Sequence, residues 1–293
     1  MFNKDMKKFL ISVCSLFVAV AVVSAQDVNQ ATDFYNNAVS YYSNGNLASA
    51  IESFKKAHEI AKQCGDDGAE IVVDCETYIP KLGMDLAKDM VAEGNYEGGV
   101  AKLSEIAALC ESMGLTDEVE KINKMKPQFY MQQGNKAVKA KDYAGAVKAF
   151  DNVLALDPDN GKAALLKGQI LLSTNNIDAA KAALELAAKN GQEKAANRQL
   201  ANLYVKQAKA ASGAKNYAKA LEFANQAISY DPTEANAYYL GGIAAQALKK
   251  NTEAISLFEN YLVLKPAASN SQAVRQVVEA LKKGNKPAEE EDQ

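Results

Sequence analysis

Lys141–Asp157, KDYAGAVKAFDNVLALD, and Lys215–Asp231, KNYAKALEFANQAISYD, are two copies of one pattern. Tyr143 and Tyr217 sit in the same place, Ala146 and Ala220 follow three residues later, and each copy runs into a proline, Pro158 or Pro232. Apolar residues recur at spacings of three and four, so each copy reads as an amphipathic helix. A third copy, Asn251–Lys265, ends at Pro266. A fourth, Asn175–Lys189, has Ile177, Ala180 and Leu184 in register. Near the start, Leu47, Ala50, Phe54 and Ala57 follow Gly45-Asn46, and Tyr96, Gly99, Leu103 and Ile106 form a looser copy after Gly94-Asn95. Self-similarity at a fixed period marks a stacked repeat, because one such unit cannot bury its apolar face alone.

In these residues the chain resembles the tetratricopeptide-repeat family, whose unit is 34 residues long. That unit has a small residue at its eighth position and a large one at its eleventh. After a turn come Tyr at seventeen, Ala at twenty, an aromatic at twenty-four, Ala at twenty-seven and Pro at thirty-two. In the first repeat this gives Phe34, Ala38, Tyr41, Gly45, Leu47, Ala50, Phe54 and Ala57. In the third it gives Tyr130, Gly134, Ala137, Tyr143, Ala146, Phe150, Val153 and Pro158. The fifth and sixth repeats carry Ala208 and Gly242 at the eighth position, and Pro232 and Pro266 at their ends. The resemblance implies an all-α fold of antiparallel helix pairs stacked in a right-handed superhelix, an α-solenoid. Small residues sit where paired helices cross closely. Gly or Asn between them can take the left-handed conformation that ends the first helix. The six prolines are expected between helices rather than inside them.

The spacing departs from 34 in three places. From Leu47 to Tyr96 the step is 49, from Tyr96 to Tyr143 it is 47, and from Ile177 to Tyr217 it is 40. The expected organisation is therefore two N-terminal repeats over 26–113 with an insert at 62–79, a connecting segment at 114–126, four repeats over 127–268, a capping helix at 269–283 and a disordered acidic tail at 284–293.

Residues 1–25 read as a signal peptide. A net-basic start, MFNKDMKKF, precedes the apolar run LISVCSLFVAVAVV, and Val23-Ser24-Ala25 offers small residues for cleavage after Ala25. The run is too short to span a bilayer, which takes about 20 residues. Export to the periplasm or the extracellular space is the expectation, with no membrane insertion after cleavage. The chain carries a formal charge of -3 and no arginine cluster, which argues against a nucleic-acid partner. Export permits disulfides, and Cys64 and Cys75 bracket a polar turn across which they could pair, although spacing alone does not decide it. Cys110, on an apolar helix face, reads as a small buried residue.

No constellation for catalysis is present. His58 is the sole histidine and reads as a solvated helix residue. No metal-ligand spacing, redox Cys pair or phosphate loop occurs, so neither a cofactor nor a metal is expected and the chain reads as no enzyme.

The resemblance implies instead that first helices line a concave groove for a protein or peptide partner. Its groove positions fall on Tyr35, Val39 and Tyr42 in the first repeat, Lys88 in the second, and Met131, Asn135 and Lys139 in the third. They continue as Gln169 and Leu172 in the fourth, Asn202, Val205 and Lys209 in the fifth, and Asn236, Tyr239, Ile243 and Gln246 in the sixth. The Lys-and-Asn clamp that some family members use for a terminal carboxylate is not matched, because Met131 accompanies Asn135 and Val205 accompanies Lys209. The implied function is a non-enzymatic interaction scaffold of the cell envelope. The alternative is a structural module that self-associates through its end helices.

Overall fold

The computed structural model describes residues 24–284. The expected export segment and acidic tail fall, apart from Ser24, Ala25 and Gly284, outside the described residues. Thirteen α-helices follow one another: α1 Ser24–Ser43, α2 Leu47–Gln63, α3 Ala69–Ala92, α4 Tyr96–Ser112, α5 Thr116–Lys139, α6 Tyr143–Leu156, α7 Gly161–Ser173, α8 Ile177–Ala187, α9 Glu193–Gly213, α10 Tyr217–Tyr230, α11 Ala235–Ala247, α12 Asn251–Leu264 and α13 Ser271–Gly284. Among the described residues there is no strand. The chain divides into two lobes, one ending at Phe129 and the other beginning at Tyr130. Within each lobe a helix packs chiefly on the next in sequence, which is the stacked helix-pair arrangement of an α-solenoid.

One local device builds every pair. The last residue before the turn takes positive φ: Gly45, Gly94, Lys141, Asn175, Lys215 and Lys249, with φ between 59° and 92°. Its N–H and the next one bond back into the first helix, as in Gly45 N to Tyr42 O at 3.0 Å and Asn46 N to Tyr41 O at 2.9 Å. These two bonds satisfy carbonyls that the helix end leaves orphaned. The following residue then caps the second helix. Asn46, Asn95, Asp142 and Asn216 each accept the backbone N–H three residues on. Gly and Asn were the residues expected at positive φ, yet three of the six are lysines. A left-handed non-glycine residue costs roughly 1–2 kcal/mol, and the packing of the helix pair overrides it.

Close crossing explains the small eighth position. A Cβ on Gly134 would lie 2.7 Å from Phe150, one on Gly168 2.7 Å from Leu184, and one on Gly242 2.6 Å from Phe258. Phe54, Phe150, Leu103, Leu184 and Leu200 are among the fully buried side chains. Burying each stabilises the fold by roughly 1.5–3 kcal/mol.

Two prolines contradict the expectation for that residue. Pro80 lies inside α3 and Pro127 inside α5, both helices of 24 residues. Each stands 16 residues before the tyrosine that opens its repeat's second helix, Tyr96 or Tyr143. That is where an ordinary repeat starts its first helix, and proline is favoured there because its missing N–H is not needed. Here the inserted residues upstream are helical too, so the proline becomes internal. An interior proline costs about 3 kcal/mol; Pro80 is fully buried, and its packing works against that cost.

Candidate functional site

The first helices of the six repeats are α1, α3, the latter part of α5, α7, α9 and α11. Their fifth positions are Tyr35, Met84, Met131, Leu165, Val205 and Tyr239, all large, apolar or aromatic, and all half-buried. Packing holds the stem of each while one side stays open to solvent. In the C-terminal lobe α9 packs on both α7 and α11, so the faces of these first helices adjoin. Gln169, Leu172, Val205, Tyr239 and Ile243 are half-buried, and Asn202, Lys209, Asn236 and Gln246 are exposed. The Tyr239 ring lies 5.1 Å from Tyr261 and 6.3 Å from Phe258, which fixes its orientation. On α5, Met131 is half-buried and Asn135 and Lys139 are exposed.

The N-terminal lobe differs. Tyr35, Val39 and Tyr42 lie half-buried along α1 against that lobe's core. Tyr35 donates its hydroxyl to Asp74 Oδ2 at 3.0 Å. Its ring meets Phe54 edge-on at 5.5 Å, and Tyr78 stacks on Phe54 at 5.4 Å. Asp74 and Tyr78 belong to the inserted turns of α3, a contribution the repeat frame does not supply. Their spacing of four, on one helix face, was the available signal. Burial, together with the Asp74 charge, pushes the Tyr35 and Tyr78 hydroxyls up. Burial also raises the Asp74 carboxyl, with Glu70 adding to the shift and the Tyr35 hydrogen bond opposing it. Lys88 is exposed and pairs with Asp85 at 2.8 Å.

His58 overturns its reading as a solvated residue. It is 5% exposed. Its Nε2 lies 3.2 Å from Glu76 Oε1, again from the inserted part of α3. Packing of α3 against α2 covers a face that the repeat pattern alone leaves open. The cysteines stand as free thiols: Cys64 half-buried, Cys75 and Cys110 buried. Burial pushes the Cys75 thiol up to about 12 and the Cys110 thiol up to about 11. A thiol held so far above neutrality is a poor nucleophile, since only the thiolate reacts.

Two clefts, of about 400 and 490 Å³, are lined by α2 with α4 and by α9 with the α10–α11 turn. Neither includes a predicted groove residue. Among the described residues no group of three or more His, Cys, Asp or Glu is placed to hold a metal, and no helix is long and apolar enough to cross a membrane.

Residues 31–64, 137–206 and 205–272 each match the tetratricopeptide repeat, and together they span more than half of the chain. The chain belongs to the tetratricopeptide-repeat family. Similar solved structures include YrrB, described as a TPR protein with an unusual peptide-binding site: 16% identity over 67% of this chain and 91% of that one, TM-score 0.36. MamA from Desulfovibrio magneticus RS-1, residues 41 to its end, is 22% identical over 65% of this chain and 97% of that one, TM-score 0.33. No curated protein sequence matches the chain. As a tetratricopeptide-repeat protein, it is a non-catalytic protein–protein interaction module.

Proposed function

We propose that the chain is an exported scaffold of the cell envelope that captures a partner segment on the face of its first helices. One observation carries this reading. The fifth position of every repeat bears a large side chain held half-buried, flanked in the C-terminal lobe by exposed Asn202, Asn236, Gln246 and Lys209. Anchored apolar groups with polar neighbours suit an extended or helical segment with apolar contacts, because little ordering entropy is lost at the anchors. The export assignment is supported by the sequence pattern of residues 1–25. Self-association through the terminal helix has less support: Val274 and Val278 of α13 are buried, Val277 and Leu281 are half-buried against the same core, and the exposed positions are polar, charged or small.

The test is affinity capture from envelope extract with the mature chain and with a Tyr42→Ala, Tyr239→Ala double variant. The proposal expects partners retained by the wild type and lost by the variant. Recovery of the same partners by both would remove the first-helix face as the binding surface.

A further inference from the structure

We propose that Asp74, with Tyr35 and Tyr78 beside it, receives a lysine or arginine side chain of the bound segment. This deepens the reading above and rests on it. Asp74 is half-buried, and one of its oxygens takes the Tyr35 hydroxyl at 3.0 Å. That donor is neutral. Among the described residues no basic side chain forms an ion pair with this carboxyl, and Glu70 adds a charge of like sign. Two other half-buried carboxylates of this lobe are paired with lysines: Asp85 with Lys88 at 2.8 Å and Glu118 with Lys121 at 2.6 Å. Asp74 therefore bears a desolvation cost that its own lobe offsets only through the neutral Tyr35 hydroxyl.

The surroundings suit a cation and little else. Tyr78 is held by its stack on Phe54 and stands four residues from Asp74, one turn along α3 and on the same face. Tyr35 is held by its edge contact with the same ring. A cation placed here meets aromatic faces and one carboxylate at the margin of a low-dielectric core, where both attractions exceed their value in open water. An apolar side chain in the same place would strip Asp74 of water and return nothing. An acidic one would add a like charge. The N-terminal lobe's own groove lysine, Lys88, is paired with Asp85 at 2.8 Å, whereas the first helices of the C-terminal lobe expose Lys139 and Lys209. Charge complementarity thus places the basic residue of the partner on the N-terminal lobe.

Short labelled peptides of extended apolar sequence test this, each made with arginine, lysine, citrulline or norleucine at one central position. Fluorescence anisotropy compares the wild-type chain with Asp74→Asn and with Val39→Ala, a groove position of the same lobe. Asparagine keeps an oxygen for the Tyr35 hydroxyl, so the variant retains that bond, and circular dichroism checks its fold. The expected result is about tenfold tighter binding of the arginine and lysine peptides over their neutral analogues. Asp74→Asn should erase this preference and leave the neutral peptides as they were. A basic preference that survives Asp74→Asn overturns the assignment. If neutral and basic peptides bind alike and Val39→Ala weakens both, the first-helix face stands and the Asp74 receptor falls. If no peptide of the set binds, both fall.

Discussion

The two lobes use the same turn device on differently built helices. In the C-terminal lobe, α6, α7, α10, α11 and α12 keep to 13 or 14 residues, while the first helix α9 lengthens to 21. The N-terminal lobe contains α3 and most of α5, each extended to 24 residues. Both extensions enter at the start of a first helix, ahead of a proline, and leave the turn before the second helix unchanged. Asn95 accepts Gly98 N at 2.9 Å, and Asp142 accepts Gly145 N at the same distance. A repeat can thus grow at one end without disturbing the crossing that defines it. The added turns of α3 bring what the repeat lacks: Asp74 against Tyr35, Glu76 against His58 and Tyr78 against Phe54.

If the crossing is common to both lobes, overfilling it should be the most damaging change. Gly242→Val places a branched side chain where even a Cβ would sit 2.6 Å from Phe258. We expect a loss of about 3 kcal/mol, the upper end for overpacking a close contact, measured by urea denaturation. In a stacked array the loss should stay near its source, so hydrogen exchange should accelerate in α11 and α12 and leave α1 and α2 unaffected. Unchanged stability would show that the Gly242–Phe258 approach does not set the crossing.

The fold was legible for the same reason that the surface was not. Gly134, Phe150, Tyr143 and Pro158 recur because each does a job inside one repeat, so periodicity exposes them. Asp74, Glu76 and Tyr78 occur once and have no register to betray them. Their partners, Tyr35 and His58, lie 39 and 18 residues away, and only folding brings them together. His58 was misread on that account: its own helix leaves it open, and α3 covers it. The prolines were misread because Pro80 and Pro127 do stand where a first helix normally begins. What the pattern omits is that the inserted residues before them are helical.

The turn residue separates the lobes a second time. The two complete turns of the N-terminal lobe use Gly45 and Gly94, whereas the C-terminal lobe uses Lys141, Asn175, Lys215 and Lys249. Gly45 and Gly94 take positive φ without steric penalty. Lys249→Gly should therefore stabilise the chain, and Gly45→Lys destabilise it, each by about 1 kcal/mol. Thermal unfolding of the two variants reads the difference. Equal small losses in both would mean that helix packing, not backbone preference, sets the cost of the turn.

The smallest expected effect concerns two aspartates, one in each lobe, whose acidities move in opposite directions. Burial raises the Asp74 carboxyl, whereas the Thr233 hydroxyl and N–H, at 2.6 and 2.9 Å, lower that of Asp231. An ordinary aspartate in an unfolded chain titrates near pH ~3.9. For Asp74 the folded state holds its proton more tightly than the unfolded chain. Its stabilising contribution is complete below that ordinary value and is lost as pH rises through the raised folded one. For Asp231 the contribution is present above the ordinary value and is lost as pH falls through the lowered folded one. Asp74→Asn should accordingly raise the thermal midpoint at pH 7, with a gain that shrinks toward pH 3. Asp231→Asn should lower the midpoint at pH 7, with a loss that also shrinks toward pH 3. Solvent screening keeps both effects small at these partly exposed sites, so the decisive reading is their opposite sign at pH 7. A loss from Asp74→Asn at pH 7 would mean that the folded chain already offsets the burial of this carboxylate, through the Tyr35 hydrogen bond or a cation of its own, and would remove the ground for an external one.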